Sequence, residues 1–149
     1  MTITAANGSG TAISSGSTTN DQTLILTFTA SEPTANFIVD DVTIVGGTLS
    51  NFAATSSKVY TATLTPSNNS VTAVNVAANK FTDTAGNNNA VSNQFTWSRD
   101  NIAPSMTITA SDGTNPIPDG ATTNDKSIIV FFTASEPTTN FTVEDVSLS

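Results

Sequence analysis

The 149-residue chain sets 12 aspartate and glutamate residues against 4 lysine and arginine residues, a net charge of −8 at neutral pH. That field repels nucleic acid and anionic lipid and draws in cations, and no basic, aromatic-bearing cluster offsets it. Cysteine and histidine are both absent, which removes disulfide support, the most frequent general base and the most frequent zinc ligand.

Alternation of apolar and polar residues predicts a series of short strands. Met1, Ile3 and Ala5 alternate with Thr2 and Thr4, and Leu24, Leu26 and Phe28 alternate with Thr23, Ile25 and Thr27. Phe37 and Val39 open a third strand, which resumes over Val42–Val45 after the Asp40–Asp41 pair. Gly46–Gly47 reads as a turn and Leu49–Ala54 as the fourth strand. Tyr60, Ala62 and Leu64 alternate with Thr61 and Thr63 in the fifth, and Pro66–Ser70 is the next turn. Val74 and Val76 anchor the sixth strand, Phe95 and Trp97 the seventh.

Seven strands in about 100 residues, divided by turn signals, predict an all-β, immunoglobulin-like β-sandwich. Without cysteines its core must rest on burial alone, with Trp97 and Tyr60 as the largest members. Charged residues are 11% of the chain, well below the roughly 25% usual in soluble domains. Threonine, which suits a pleated strand, and the turn-forming serine and asparagine supply the polarity instead.

The chain repeats itself. MTITA at Met1–Ala5 returns at Met106–Ala110, TTND at Thr18–Asp21 returns at Thr122–Asp125, and FTASEPT at Phe28–Thr34 returns at Phe132–Thr138. NFIVDDV at Asn36–Val42 returns as NFTVEDV at Asn140–Val146. The offset is 105 residues at Met1 and Met106 but 104 at Asn20 and Asn124, so one residue is lost in between. Internal similarity at such a spacing marks a tandem array. The expected organisation is a complete repeat over residues 1–98, a linker over 99–104 stiffened by Pro104, and the N-terminal half of a second repeat over 105–149. Met1 aligns with an internal methionine, so the natural protein is expected to start elsewhere. The second copy stops where the first reaches Val45, and the apolar face of its strands is expected to need a partner sheet from another chain.

Catalysis has little to work with. Serine or cysteine nucleophiles lack a histidine base. Asp40 and Asp41 are adjacent, so in an extended strand they point to opposite faces. No aromatic platform for a sugar is visible, and no glycine-rich phosphate loop precedes a helix. No stretch nears the roughly 20 apolar residues of a membrane span, and no leader is visible at Met1.

The run TTNDQTLILTFTASEPTANFIVDDVTIVGGTLSNF, followed by VYTATLTP, FTDTAGNNN, FTW and D-N-x-A-P, resembles the bacterial immunoglobulin-like repeats of large surface adhesins. The resemblance covers the first copy and what exists of the second. It implies secretion to the cell surface, tandem arrays, an extender or adhesive role, and structural calcium (Ca2+) that stiffens the array. The partners it implies are neighbouring repeats of the same chain or fibre and a cell-surface glycan or protein, with no nucleic acid and no membrane insertion.

Calcium takes six to eight oxygens from carboxylates, amides, carbonyls and water. The predicted strands bring Glu32, after the second strand, near Asp83 and Asn87, between the sixth and seventh, at the end where the chain begins. The matching set for the second copy is Asp100 and Asn101 from the linker with Glu136. Asp21, Asp40 and Asp41 are expected at the opposite end of the first copy, facing the second, with Asp125 and Asp145 as counterparts of Asp21 and Asp41. DTAGNNN is not an EF-hand loop, because Ala85 and Gly86 stand at the wrong places. Asp21 reads equally as a turn residue holding its own backbone, and Asp40 and Asp41 equally as solvated loop acids. For Glu32, Asp83 and Asp100 an ion is the preferred reading.

Three functions fit: a structural extender, a module binding glycan or protein, and a filament subunit completed by strands of a neighbouring chain. The sequons at Asn7, Asn68 and Asn140 carry meaning only in a eukaryotic secretory pathway.

Overall fold

The computed structural model describes residues 1–67 and 71–147. The chain divides into two compact units, Met1–Asn101 and Ile102–Ser149.

The first unit contains β1 (Thr2–Ala6), β2 (Ala12–Ile13), β3 (Ser17–Thr19), β4 (Leu24–Thr29), β5 (Val42–Val45), β6 (Gly47–Ala54), β7 (Val59–Pro66), β8 (Val71–Val76) and β9 (Phe95–Arg99). They form two sheets, β2-β1-β4-β7-β6 and β3-β9-β8-β5. Every pairing is antiparallel except β3 with β9, which is parallel. This is the immunoglobulin-like sandwich expected from the strand spacing.

Alternation sets the core. Ile3, Leu24, Leu26, Phe28, Ala62, Leu64, Val74, Val76, Phe95 and Trp97 are all buried, each large apolar side chain contributing roughly 1.5–3 kcal/mol by leaving water. Phe37 sits within ring-contact distance of Phe28, Phe52, Tyr60 and Phe81 at one end of this core. The opposite faces of β1, β4 and β7 present Thr2, Thr4, Thr27, Thr29, Thr61 and Thr63, paired across the strands, so hydroxyls do the work that charges do on most surfaces. Gly46, with φ of 73°, turns the chain from β5 in one sheet to β6 in the other, a backbone region that favours glycine. At Gly47 a Cβ would stand 2.7 Å from the Thr65 carbonyl oxygen, so a side chain has no room.

Three expectations are corrected. Phe37 does not begin a strand: Val39–Asp41 is a 3₁₀ turn, and β5 starts at Val42. The Asp41 carboxylate accepts the Ile38 N–H at 3.0 Å, and this local bond replaces a ladder pairing. Arg99, read as linker, is the last residue of β9 and pairs with Thr19. The segments β2 and β3 carry too little apolar alternation to be read, and among the described residues they bring the strands of the first unit from the seven expected to nine. The turn predicted over Pro66–Ser70 lies partly outside the described residues, as does the sequon at Asn68; Pro66 itself ends β7.

The second unit contains β10 (Met106–Ser111), β11 (Pro116–Ile117) and β12 (Ile129–Ala134), in the order β11-β10-β12, and a 3₁₀ turn at Val143–Asp145. It repeats the β2-β1-β4 arrangement of the first. The lost residue falls in the first hairpin turn: five residues separate Ala6 from Ala12, and four separate Ser111 from Pro116. Ile108, Val130 and Phe141 are 63%, 42% and 41% exposed, whereas their counterparts Ile3, Leu26 and Phe37 are buried.

Candidate functional site

The end of the first unit where β4 stops and β8 runs into β9 is built from loops with strong internal bonding. Asn89 pins the 77–94 connection: its Oδ1 accepts the N–H groups of Lys80 and Phe81 at 2.7 and 2.9 Å. Its Nδ2 donates to the carbonyls of Ala77 and Ala90 at 2.8 and 2.9 Å. Asn36 Oδ1 accepts the Thr82 N–H at 2.8 Å, tying the loop after β4 to this connection. Asn93 exchanges two bonds with the Ile3 backbone at 2.7 and 3.0 Å and so completes the edge of β1. These three asparagines escape a sequence reading, because irregular loop bonds, local at Asn89 and long-range at Asn36 and Asn93, leave no periodic trace.

Asp83 organises the tip. Its carboxylate accepts the N–H groups of Ala85 and Asn87 at 2.9 and 2.8 Å and the Asn87 side-chain amide at 2.8 Å. The Asn87 side chain above all, then the Asn87 backbone, hold the Asp83 carboxyl below its ordinary value of 3.8. Bonds to the charged form favour ionisation.

A cleft of about 200 Å³ opens here, lined by Met1, Ser31, Glu32, Thr34, Asp83 and Asn87 among others. Glu32 is exposed on its rim, and Lys58 Nζ donates to the Ser31 carbonyl beside it at 3.0 Å. The structure therefore brings Glu32, Asp83 and Asn87 together at the end where the chain enters, as their positions between predicted strands implied. Their donors are all oxygen, the chemistry of a hard cation. Among the described residues, no three carboxylates lie close enough together to hold a metal ion by themselves, so an ion here would draw on amide, hydroxyl, carbonyl and water oxygens too.

The other candidates are placed differently. Asp21 lies at the opposite end of the first unit, where its Oδ2 accepts the Thr19 hydroxyl at 2.8 Å. The Asp100 N–H donates to the Thr19 carbonyl at 2.9 Å, so Asp100 belongs to the same end. Asn101 is exposed and closes the first unit. Asp40 and Asp41 are not at that end. Val42 pairs with Val76, the last residue of β8, so the acids just before it lie where β8 leaves the sheet. The reason is the 3₁₀ turn, which moves them from a connection after the third strand to the approach into it.

In the second unit Glu136 is half-buried, and its Oε1 is enclosed without a hydrogen-bond partner. Asp125 accepts the Thr123 hydroxyl, and Asp145 accepts the Thr142 N–H at 2.9 Å. The recurrence of Asp21 as Asp125 and of Asp41 as Asp145 thus has a local cause in each copy: one receives a threonine hydroxyl, the other caps a 3₁₀ turn.

Two sheets of this order around one apolar core define an immunoglobulin-like module. The chain belongs to the bacterial Ig-like domain family, which matches residues 4–98. No curated protein and no solved structure matches the chain. No described helix is long and apolar enough to cross a membrane.

Proposed function

We propose that the chain is a non-enzymatic structural spacer of an extracellular, cell-surface fibre of the adhesin type, with calcium held in the cleft of Glu32, Asp83 and Asn87. The observation that carries this reading is the placement of the two ends of the first unit. Met1 borders the cleft, whereas Asp100 leaves beside Thr19 after β9 has run the length of the sheet away from that cleft. A module entered at one end and left at the other adds length when repeated, and its partners are the neighbouring repeats. Bound calcium would neutralise the Glu32 and Asp83 charges and cross-link the loops after β4 and β8.

Trp97 is the only tryptophan and lies in the first unit, so its fluorescence during thermal melting tests the reading. Saturating calcium is expected to raise the melting temperature by several degrees over chelator. A ligand at a hundredfold excess over its dissociation constant contributes about 2.7 kcal/mol. The double variant Glu32→Gln with Asp83→Asn is expected to lose the shift. Identical melts with and without calcium would remove the metal and leave a metal-independent spacer.

One observation favours a second reading. The exposed face of Ile108, Val130 and Phe141 would suit a filament subunit whose second unit is completed by strands of a neighbouring chain. Concentration-dependent filaments in electron micrographs would support it; a monomer by light scattering across the same range would exclude it.

A further inference from the structure

Asn7 and Gly8 form the chain's one Asn-Gly pair, at the start of the turn between β1 and β2. The Asn7 Oδ1 accepts three hydrogen bonds, from Ser9 Oγ at 2.7 Å, Thr11 N–H at 2.9 Å and Ser9 N–H at 3.2 Å. Donors gathered on a carbonyl oxygen draw electron density from its carbon and stabilise an oxyanion that forms there. Gly8 is exposed, and nothing lies within 4 Å of the position a Cβ would take, so the backbone there has room to turn.

We propose that Asn7–Gly8 is a site of spontaneous covalent self-modification. The Gly8 nitrogen, having lost its proton to hydroxide, attacks the Asn7 Cγ, and negative charge gathers on Oδ1 against its three donors. The intermediate collapses as Nδ2 takes a proton and leaves as ammonia, closing a five-membered succinimide. Water then opens the ring. Addition at Cγ gives aspartate, and addition at the main-chain carbonyl gives isoaspartate, whose backbone runs through the side-chain carbon. No oxidant or metal is needed.

The second repeat shows that the turn accommodates one of the products. Asp112–Gly113 opens the equivalent turn, and the Asp112 Oδ1 accepts the N–H groups of Thr114 and Asn115, both at 2.7 Å. Aspartate, one product of the reaction, is thus already the working residue of this turn in the other copy. Isoaspartate has no such precedent in the chain: an added backbone carbon would disturb the pairing of Ala6 with Ala12.

The test is peptide mass analysis of the full chain aged at mildly alkaline pH, folded and in urea, with separation of aspartate from isoaspartate. The expected result is a gain of about one dalton confined to the peptide containing Asn7, isoaspartate among the products. Its rate in the folded chain should equal or exceed that in urea. Gly8→Ala is expected to slow it by about tenfold, because a Cβ restricts the backbone that must close the ring. Ser9→Ala should slow the folded chain alone. A fold that protects Asn7 relative to urea, or a Gly8→Ala chain that ages as fast as the parent, would overturn the proposal.

Discussion

The indole N–H of Trp97 donates to the Thr19 hydroxyl oxygen at 3.0 Å, and that hydroxyl donates in turn to the Asp21 carboxylate at 2.8 Å. A fully buried tryptophan is thereby connected to a half-buried acid through one threonine, and β3 is fastened to β9 by side chains as well as backbone. Thr19→Val removes the acceptor and leaves the indole N–H unpaired in the core, a loss of about 1–3 kcal/mol. Urea titration of Trp97 fluorescence measures it, and Thr19→Ser, which keeps the hydroxyl, should recover most of the stability. Equal midpoints for Thr19→Val and the parent would show that the bond does not contribute.

Asn89 makes four bonds to backbone groups of the connection it pins. Asn89→Ala is expected to cost about 1–3 kcal/mol, since four backbone groups lose a partner together, two of them in part-buried bonds. Amide hydrogen exchange should quicken across residues 77–94 while β4 and β7 keep their protection. A uniform change throughout the unit would contradict the local role.

Gly47 tests packing at the crossing between sheets. Gly47→Ala places a Cβ 2.7 Å from the Thr65 carbonyl oxygen and 3.2 Å from the Thr72 methyl, and is expected to cost about 1–3 kcal/mol, as overpacked sites do. The same change at Gly8, where nothing stands nearby, should leave the urea midpoint almost unmoved, within about 0.5 kcal/mol.

Asp83 gives a pH dependence of known sign. Its carboxyl is held below 3.8 in the fold, first by the Asn87 side chain and then by the Asn87 backbone. A depressed folded value means that the contribution to stability is present above the unfolded value and disappears as pH falls through the folded one. The stability difference between the parent and Asp83→Asn is therefore expected to be constant near neutrality and to shrink below about pH 4. A difference that grows on acidification would reverse the assignment.

The sheets were legible wherever burial imposes alternation. Leu24, Leu26 and Phe28 facing Tyr60, Ala62 and Leu64 announce β4 and β7 without help. Asn36–Val42 misled, because Phe37 is buried from a loop and mimics the first inward residue of a strand, while Val39 beside it is exposed. β3 was invisible: Ser17, Thr18 and Thr19 carry no apolar residue, and the strand exists by pairing with β9. The cleft was half legible. Glu32 and Asp83 follow from strand order, but the loop bonds of Asn36, Asn89 and Asn93 depend on contacts across 46, 12 and 90 residues. The repeat itself pointed to Asp41 and Asp145 as counterparts, and in each copy that aspartate caps its own 3₁₀ turn.

The parallel pairing of β3 with β9 has a consequence for a chain that is pulled. Tension between Met1 and Asp100 runs along the strands, and the rungs joining Ser17–Thr19 to Trp97–Arg99 lie across it. Such rungs are strained together in shear, whereas a hairpin pulled from its open end would unzip one rung at a time. The bonds from Gly16 to Thr96 and from Asp100 to Thr19, at 2.7 and 2.9 Å, extend the same patch at either side. The module should therefore hold its length up to a threshold force and then yield all at once, a latch closed by one short strand with no apolar residue in it.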